Sequence, residues 1–169
     1  AVNAIQRDIG RENIEPEDVY FANDPYNGGG THPNDVVVAY PIFHHGELIA
    51  YSLFKAHVMD IGGIYPGGWY NNTTDILQEG LRVPPVKLYR RGEAVDDIYR
   101  LLRTNSRLPD ALVGDVRAMV GAVRVGGARV IEIIEKYGYE TFQAAVDEML
   151  NHTERITRAA IAAMPDGEY

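Results

Sequence analysis

The spacing of apolar residues changes once along this chain, and that change most restricts the folds it can adopt. Up to about residue 91, apolar residues occur in short runs separated by Gly, Pro and Asn, as in strands and loops. From about residue 92 they recur every three or four residues, which is the period of a helix. Strands grouped before helices predict an α+β fold, whereas a parallel sheet would need the two to alternate.

The first half of the chain predicts a short strand at residues 19–22 and then a β-hairpin. Two apolar runs, residues 35–43 and 48–55, flank a turn-like segment, His44-His45-Gly46-Glu47. Antiparallel pairing would bring the start of the first run beside the end of the second. Residues 64–80 form a long loop that contains Trp69, the single tryptophan, and loops of this length are often functional.

The second half predicts helices at residues 96–104, at about 109–137 and at 142–163, after a short extended piece at 86–89. Gly138 is expected to end the middle helix, and Thr141 to cap the last one. Four glycines interrupt the middle helix, which indicates close packing or a kink: Gly114, Gly121, Gly126 and Gly127. The short turn predicts that the two long helices are antiparallel. We expect one domain, with a strand and loop region at 1–91 and a helical region at 92–169.

Two His-x-x-Asp motifs lie beside glycine clusters. His32 and Asp35 follow Gly28-Gly29-Gly30, and His57 and Asp60 precede Gly62-Gly63. Imidazole and carboxylate groups are ligands of catalytic divalent metals. A histidine at a strand end is more often a surface or hydrogen-bonding residue. The hairpin, however, would bring His32, Asp35 and His57 together, and this convergence favours a metal site.

The composition of the chain argues against several classes of partner and excludes several kinds of site. The net charge of −8 argues against a nucleic-acid or anionic-membrane partner. The absence of cysteine excludes disulfides, thiolate zinc sites and cysteine nucleophiles. No apolar run reaches the length of a membrane span and no signal peptide is recognisable, so we expect a cytoplasmic protein. The chain starts without Met, in what resembles the middle of an amphipathic helix, and stops at a turn in residues 165–169, so we interpret it as a fragment.

Four ordered motifs identify a family resemblance. They are Asn23-Asp24-Pro25-Tyr26, the segment from Gly29 to Asp35, Ala56-His57 with Asp60-Ile61-Gly62-Gly63, and Gln78-Glu79-Gly80-Leu81-Arg82-Val83-Pro84-Pro85. In this order they resemble the hydantoinase B family. That family includes the B subunits of N-methylhydantoinases, the C-terminal half of 5-oxoprolinases, and subunits of acetone and acetophenone carboxylases. The resemblance continues through Gly114-Asp115-Val116-Arg117-Ala118 and covers nearly the whole chain.

The resemblance implies an ATP-dependent reaction shared by two subunits. An actin-like ATPase of the hydantoinase A type phosphorylates an amide or enolate oxygen of the substrate. The hydantoinase B component holds a divalent metal, such as Zn, Mn or Fe, and completes ring hydrolysis or carboxylation. His32, Asp35 and His57 match the family's metal ligands, and a further Asp ligand lies upstream of the segment that this chain represents.

We therefore expect the metal-containing subunit of an ATP-dependent cyclic-amide hydrolase that works in a hetero-oligomer and is inactive as the isolated chain. Asp60 or Asp24 would position water or move a proton, although Asp60 could equally be a structural cap of the Ile61-Gly62-Gly63 turn. One alternative is a subunit of an ATP-dependent ketone carboxylase. Another is a non-catalytic scaffold domain of such a complex.

Overall fold

The computed structural model describes residues 1–28 and 30–167, and it has the α+β architecture that the periodicity predicts. Gly29 and the last two residues of the predicted terminal turn lie outside the described residues. The helices are α1 (Val2–Ile9), α2 (Asp96–Thr104), α3 (Pro109–Tyr137) and α4 (Tyr139–Ala162). The strands are β1 (Val19–Ala22), β2 (Asp35–His44), β3 (Glu47–His57), β4 (Val86–Arg90) and β5 (Glu93–Ala94). Among the helices of the described residues, none has the length and apolar character needed to cross a membrane.

The strands form one antiparallel sheet in the order β3-β2-β1-β4-β5. The predicted hairpin is present, and its register pairs Asp35 with His57 at one end and His44 with Glu47 at the other. His45 and Gly46 form the two-residue turn with φ of 50° and 85°. Positive φ at both positions suits the twist of a hairpin, and glycine accepts it without strain.

Both faces of the central strands are covered, which explains why β1 is buried throughout and β2 over most of its length. Alternate side chains point to opposite faces. Val19, Phe21 and Val38 pack with α2 and α3 in one core, and Tyr20 and Ala39 pack with Ile5 and Ile14 in a second, smaller core. The sheet therefore has a helical layer on one face, and α1 and the segment after it on the other.

Glycines let α3 approach the sheet closely. A Cβ added at Gly126 would meet the Ser52 side chain, and one added at Gly127 would lie 2.8 Å from the Tyr40 ring. Gly114 and Gly121 face open space. The predicted close packing is therefore found at the second pair of glycines, against the sheet, and not at the first pair, where the alternative of a kink stays a prediction.

The chain divides into two compact units, Ala1–Ala128 and Arg129–Tyr169. The predicted boundary at residue 91, between the strand and loop region and the helical region, falls between β4 and β5, and α2 begins at Asp96. The first unit extends further because the apolar residues of α3 up to Val123 belong to the main core with the sheet.

The second unit contains the end of α3 and all of α4. Gly138, with φ of 86°, ends α3 as predicted. The prediction that Thr141 caps the next helix is wrong, because α4 begins at Tyr139 directly after that glycine and has no side-chain cap. No residue of α4 is buried, so the antiparallel packing of the two long helices stays a prediction.

Candidate metal centre

The open end of the β2–β3 hairpin brings the two His-x-x-Asp motifs together. Asp35 is the first residue of β2 and His57 is the last residue of β3, and they are direct cross-strand partners. Directly opposed residues have Cβ atoms about 4.5–5.5 Å apart, so their side chains meet. His32 lies in the preceding turn, which is closed by a hydrogen bond from the Asp35 amide to the His32 carbonyl at 3.0 Å.

Three side-chain atoms converge at this end. His32 Nε2 lies 3.0 Å from Asp35 Oδ1 and 3.2 Å from His57 Nδ1, and His57 Nδ1 lies 3.4 Å from Asp35 Oδ1. Metal–ligand bonds of about 2.0–2.2 Å separate neighbouring donor atoms around one ion by roughly 3–3.5 Å. The spacing and the nitrogen/oxygen donor set therefore fit one divalent cation. Three protein ligands with remaining open positions are typical of catalytic rather than structural sites.

The second oxygen of the Asp35 carboxylate, Oδ2, contacts two neighbouring side chains. Thr31 Oγ1 donates a hydrogen bond to Asp35 Oδ2 at 2.6 Å, and Lys55 Nζ lies 3.2 Å from the same atom. Burial raises the pKa of Asp35, but the hydrogen bonds from Thr31 and Lys55 and the nearby His32 outweigh it and lower the pKa to about 2. The group is thus ionised at neutral pH, as a metal ligand must be, while Oδ1 stays directed at the two histidines.

Asn34 connects the two motif loops. Val58 N donates to the Asn34 carbonyl at 2.8 Å, and Asn34 Nδ2 donates to the Val58 carbonyl at 2.9 Å. The Asn34 side chain is fully buried, and its Oδ1 faces Gly68, where an added Cβ would lie only 2.5 Å away. Only glycine fits this close approach of the long loop. The contact places the next residue, Trp69, beside the site.

Trp69 covers the two histidine rings. Its ring centroid lies 5.2 Å from that of His32 and 6.2 Å from that of His57, while 79% of the residue remains exposed. The sequence singled out Trp69 only as the single tryptophan of a long loop. Nothing in its spacing indicated that it would lie against residues so distant along the chain.

The position of Lys55 in the sequence is enough to place it beside the site once the hairpin is assumed. Lys55 lies two residues before His57, so both side chains are on the same face of β3. The register then makes Lys55 a diagonal neighbour of Asp35. A lysine at that position is therefore expected to reach the carboxylate once the hairpin is assumed.

Asp60 and Asp24 lie outside this three-residue cluster. The Asp60 side chain is buried and accepts hydrogen bonds from Arg107 Nη1 at 2.6 Å and from Ser106 Oγ at 3.2 Å. The Asp24 carboxylate accepts from the Tyr26 amide and from Asn27 Nδ2 in its own turn. These are the bonds of structural residues, and the catalytic roles predicted for both aspartates stay predictions.

Comparison with known proteins agrees with this fold and these motifs. The sequence model of the Hydantoinase B/oxoprolinase family matches residues 1–169. A putative B component of a D-/L-hydantoinase from Pseudomonas sp. strain NS671 is 42% identical over 153 residues, covering 90% of this chain and 26% of that protein. The acetophenone carboxylase delta subunit of Aromatoleum aromaticum is 28% identical over 159 residues, covering 94% of this chain and 23% of that relative.

The crystal structure of ATP-dependent caprolactamase from Pseudomonas jessenii superimposes with a TM-score of 0.87 at 36% identity, covering 98% of this chain and 28% of that one. The chain belongs to the hydantoinase B/oxoprolinase family. It spans about a quarter of the length of each of these three relatives.

Proposed function

We propose that this chain carries the metal centre of the hydantoinase B-type component of an ATP-dependent cyclic-amide hydrolase. The observation that carries the proposal is the convergence of His32, Asp35 and His57 within hydrogen-bonding distance of one another. The relatives named as a hydantoinase component and a caprolactamase support the cyclic-amide class.

The side chains of the site would hold one Zn, Mn or Fe ion through His32, Asp35 and His57. Such an ion polarises a carbonyl oxygen or makes its bound water more acidic. Thr31 and Lys55 keep the carboxylate ionised and oriented. Trp69 shields one side of the imidazoles from water. Asp60 or Asp24 as the proton-transfer group remains a prediction, and their present hydrogen bonds favour the structural role.

We further propose that ATP is bound by a partner, an actin-fold ATPase of the hydantoinase A type, in a cytoplasmic hetero-oligomer, and that this chain alone does not turn over substrate. The hydantoinase relative is one component of a multi-subunit enzyme, and the caprolactamase depends on ATP. Both facts support the proposal that ATP binding and the metal centre are on different chains. No metal-independent activity is expected of the assembled enzyme.

The His57→Ala variant tests the metal site. It removes one of three ligands, so we expect the affinity for Co²⁺ to fall by more than about 100-fold, as loss of even a supporting group costs 10- to 100-fold. Co²⁺ quenching of Trp69 fluorescence measures binding, because the indole lies beside both histidines. His152→Ala, an exposed histidine on α4, is the matched control and should bind as the wild type does. Equal affinity of both variants would exclude this site.

The carboxylase relative makes a second reaction worth testing, in which bicarbonate takes the place of water and a ketone the place of the amide. Product analysis of the assembled enzyme with labelled water and labelled bicarbonate separates the two. Label from water in a ring-opened amino acid supports the hydrolase. Label from bicarbonate in a new carboxylate supports the carboxylase.

A further inference from the structure

Trp69 exposes most of its indole at the edge of the candidate metal site. The residue is 79% exposed, although its ring lies 5.2 Å from the His32 ring and 6.2 Å from the His57 ring, centroid to centroid. The planes of the indole and the His57 imidazole are 29° apart, which is a stacked arrangement. Part of the indole therefore lies against the two imidazoles while most of its surface faces solvent. A large aromatic side chain open to water beside convergent polar groups is typical of a surface that a ligand covers.

Backbone contacts fix the position of Trp69. It follows Gly67 and Gly68, whose φ angles of 81° and 66° make a sharp turn that glycine adopts without strain. A Cβ added at Gly68 would lie 2.5 Å from Asn34 Oδ1. The Asn34 side chain is itself bonded at 2.9 Å to the carbonyl of Val58, the residue after the second histidine. The contacts that join the two motif loops therefore also place the indole.

The three donor atoms of the site lie next to this indole. His32 Nε2, His57 Nδ1 and Asp35 Oδ1 are separated by 3.0 to 3.4 Å, and both nitrogens belong to rings that contact Trp69. An oxygen of a molecule bound to the cation lies about 2 Å from the ion, as the protein ligands do. The rest of such a molecule extends away from the donor atoms. A molecule with a ring of several atoms is therefore large enough to reach the indole, and a very small one is not.

The cation and the indole suit different parts of one ligand. A divalent cation attracts the oxygen of a carbonyl group. An aromatic face suits a flat or apolar group, because contact removes apolar surface from water. A cyclic amide has both parts, a planar amide with its carbonyl oxygen and a chain of methylene groups that closes the ring. A short open-chain amide has the same polar group without the methylene ring.

We propose that Trp69 is a specificity-determining residue of this site and that its exposed surface supports the apolar part of the substrate ring. The inference rests on the proposed function, because it takes the cation held by His32, Asp35 and His57 as the group that binds the amide carbonyl. It adds that the preference for a ring over an open-chain amide arises at the indole. The metal ligands alone contact only the polar end of either molecule.

Titration of the Co²⁺-loaded chain with caprolactam and with N-methylacetamide tests this role, and the visible absorption of bound Co²⁺ measures binding of each amide. Both ligands have an amide carbonyl and an N–H, but only caprolactam has the methylene ring. We expect Trp69→Ala to weaken caprolactam binding about tenfold or more and to change N-methylacetamide binding less than about twofold, since even one methylene contact contributes about 10- to 200-fold to discrimination. Trp69→Phe keeps a smaller aromatic face, and its affinity for caprolactam should lie between those of the wild type and Trp69→Ala.

Tyr65→Ala is the matched control, because it removes another partly exposed aromatic ring of the same loop, one that packs on the Tyr70 ring at 4.4 Å. It should bind both amides as the wild type does. Fluorescence of the single tryptophan gives a second measurement. Caprolactam should shift the Trp69 emission of the Zn²⁺-loaded wild type to shorter wavelength, because the ring displaces water from the indole, and N-methylacetamide should not.

The outcomes separate this role from the proposed metal centre. Equal caprolactam affinity of the wild type and Trp69→Ala, with cobalt bound in both, would overturn the role of Trp69 alone. An equal loss of affinity for both amides would also overturn it, because the effect would then be on the carbonyl end and not on the ring. Failure of the wild type to bind cobalt would instead overturn the metal centre on which the inference rests.

Discussion

Thr31 shows how much of the candidate metal centre depends on a side chain that contacts only a ligand. Its hydroxyl donates to the Asp35 oxygen that faces away from the histidines. Groups of this kind orient a carboxylate and raise the affinity for the ion by restricting alternative rotamers. Thr31 is not one of the proposed metal ligands. Its contribution to the affinity for the ion can therefore be measured separately from those of His32 and His57.

Thr31→Val removes the hydroxyl while keeping the branched shape. We expect the Co²⁺ affinity to fall about tenfold, at the lower end of the effects seen for supporting groups, because Lys55 still contacts the same oxygen. The titration of Trp69 fluorescence measures the change. Thr31→Ser keeps the donor and should bind nearly as tightly as the wild type, so equal losses in both variants would show that the hydrogen bond is not responsible.

Helix α3 packs on the sheet over most of its length within the first unit, through apolar residues from Leu112 to Val123 and then through Gly126 and Gly127. Its start at Pro109 and its end before Gly138 agree with the sequence pattern, because proline suits a first turn and glycine accepts positive φ. The sequence does not indicate which of the glycines inside the helix contact the sheet. Whether a glycine contacts the sheet depends on the rotation of the whole helix against β2 and β3.

Substitution of two glycines of α3 by alanine compares an open position with a crowded one through the free energy of unfolding. Gly121→Ala adds a methyl group in open space and should raise the free energy of unfolding by about 0.5–1 kcal/mol through helix propensity. Gly127→Ala should lower it by about 1–2 kcal/mol, because the methyl group meets the Tyr40 ring, whose hydroxyl is held by Glu17 at 2.5 Å. Urea unfolding measures both. A gain in stability at both positions would contradict the close contact.

Buried apolar residues are distributed unevenly between the two units of the chain. The first unit holds both hydrophobic cores and the candidate metal centre, whereas α4 exposes Met149, Leu150, Ile156 and Ile161. The apolar periodicity of this segment predicts a helix and a helix is present, but its apolar face is not buried within the described residues. Both core clusters and the buried carboxylate of Asp18 therefore lie in the first unit.

Asp18 links global stability to pH. Its side chain is fully buried, with Lys87 Nζ at 2.7 Å, the Tyr20 hydroxyl at 2.9 Å and the Arg91 amide at 3.0 Å. Burial raises the pKa of Asp18, but these partners outweigh it and lower the pKa below its ordinary value. A lowered pKa stabilises the folded chain above about pH 4 and loses that contribution as the pH falls further.

We therefore expect the free energy of unfolding of the wild type to decrease between about pH 5 and pH 3, and Asp18→Asn to be less stable at pH 7 with a shallower decrease. Asp97→Asn, whose side chain is 79% exposed, is the control and should follow the wild type. Urea titrations at several pH values give the slopes. Parallel slopes for the wild type and Asp18→Asn would contradict this assignment.

Sequence pattern was enough to predict the order of strands and helices, the hairpin, and the meeting of His32, Asp35 and His57 at its open end. These features depend on local periodicity and on pairing between neighbouring segments, and both are encoded along short stretches of chain. Only the tertiary structure decided that Trp69 lies over the histidine rings, that Arg107 binds the Asp60 carboxylate, and that Gly126 and Gly127 contact the sheet. Such contacts join segments far apart in sequence, and their geometry arises only when the sheet and helices pack together.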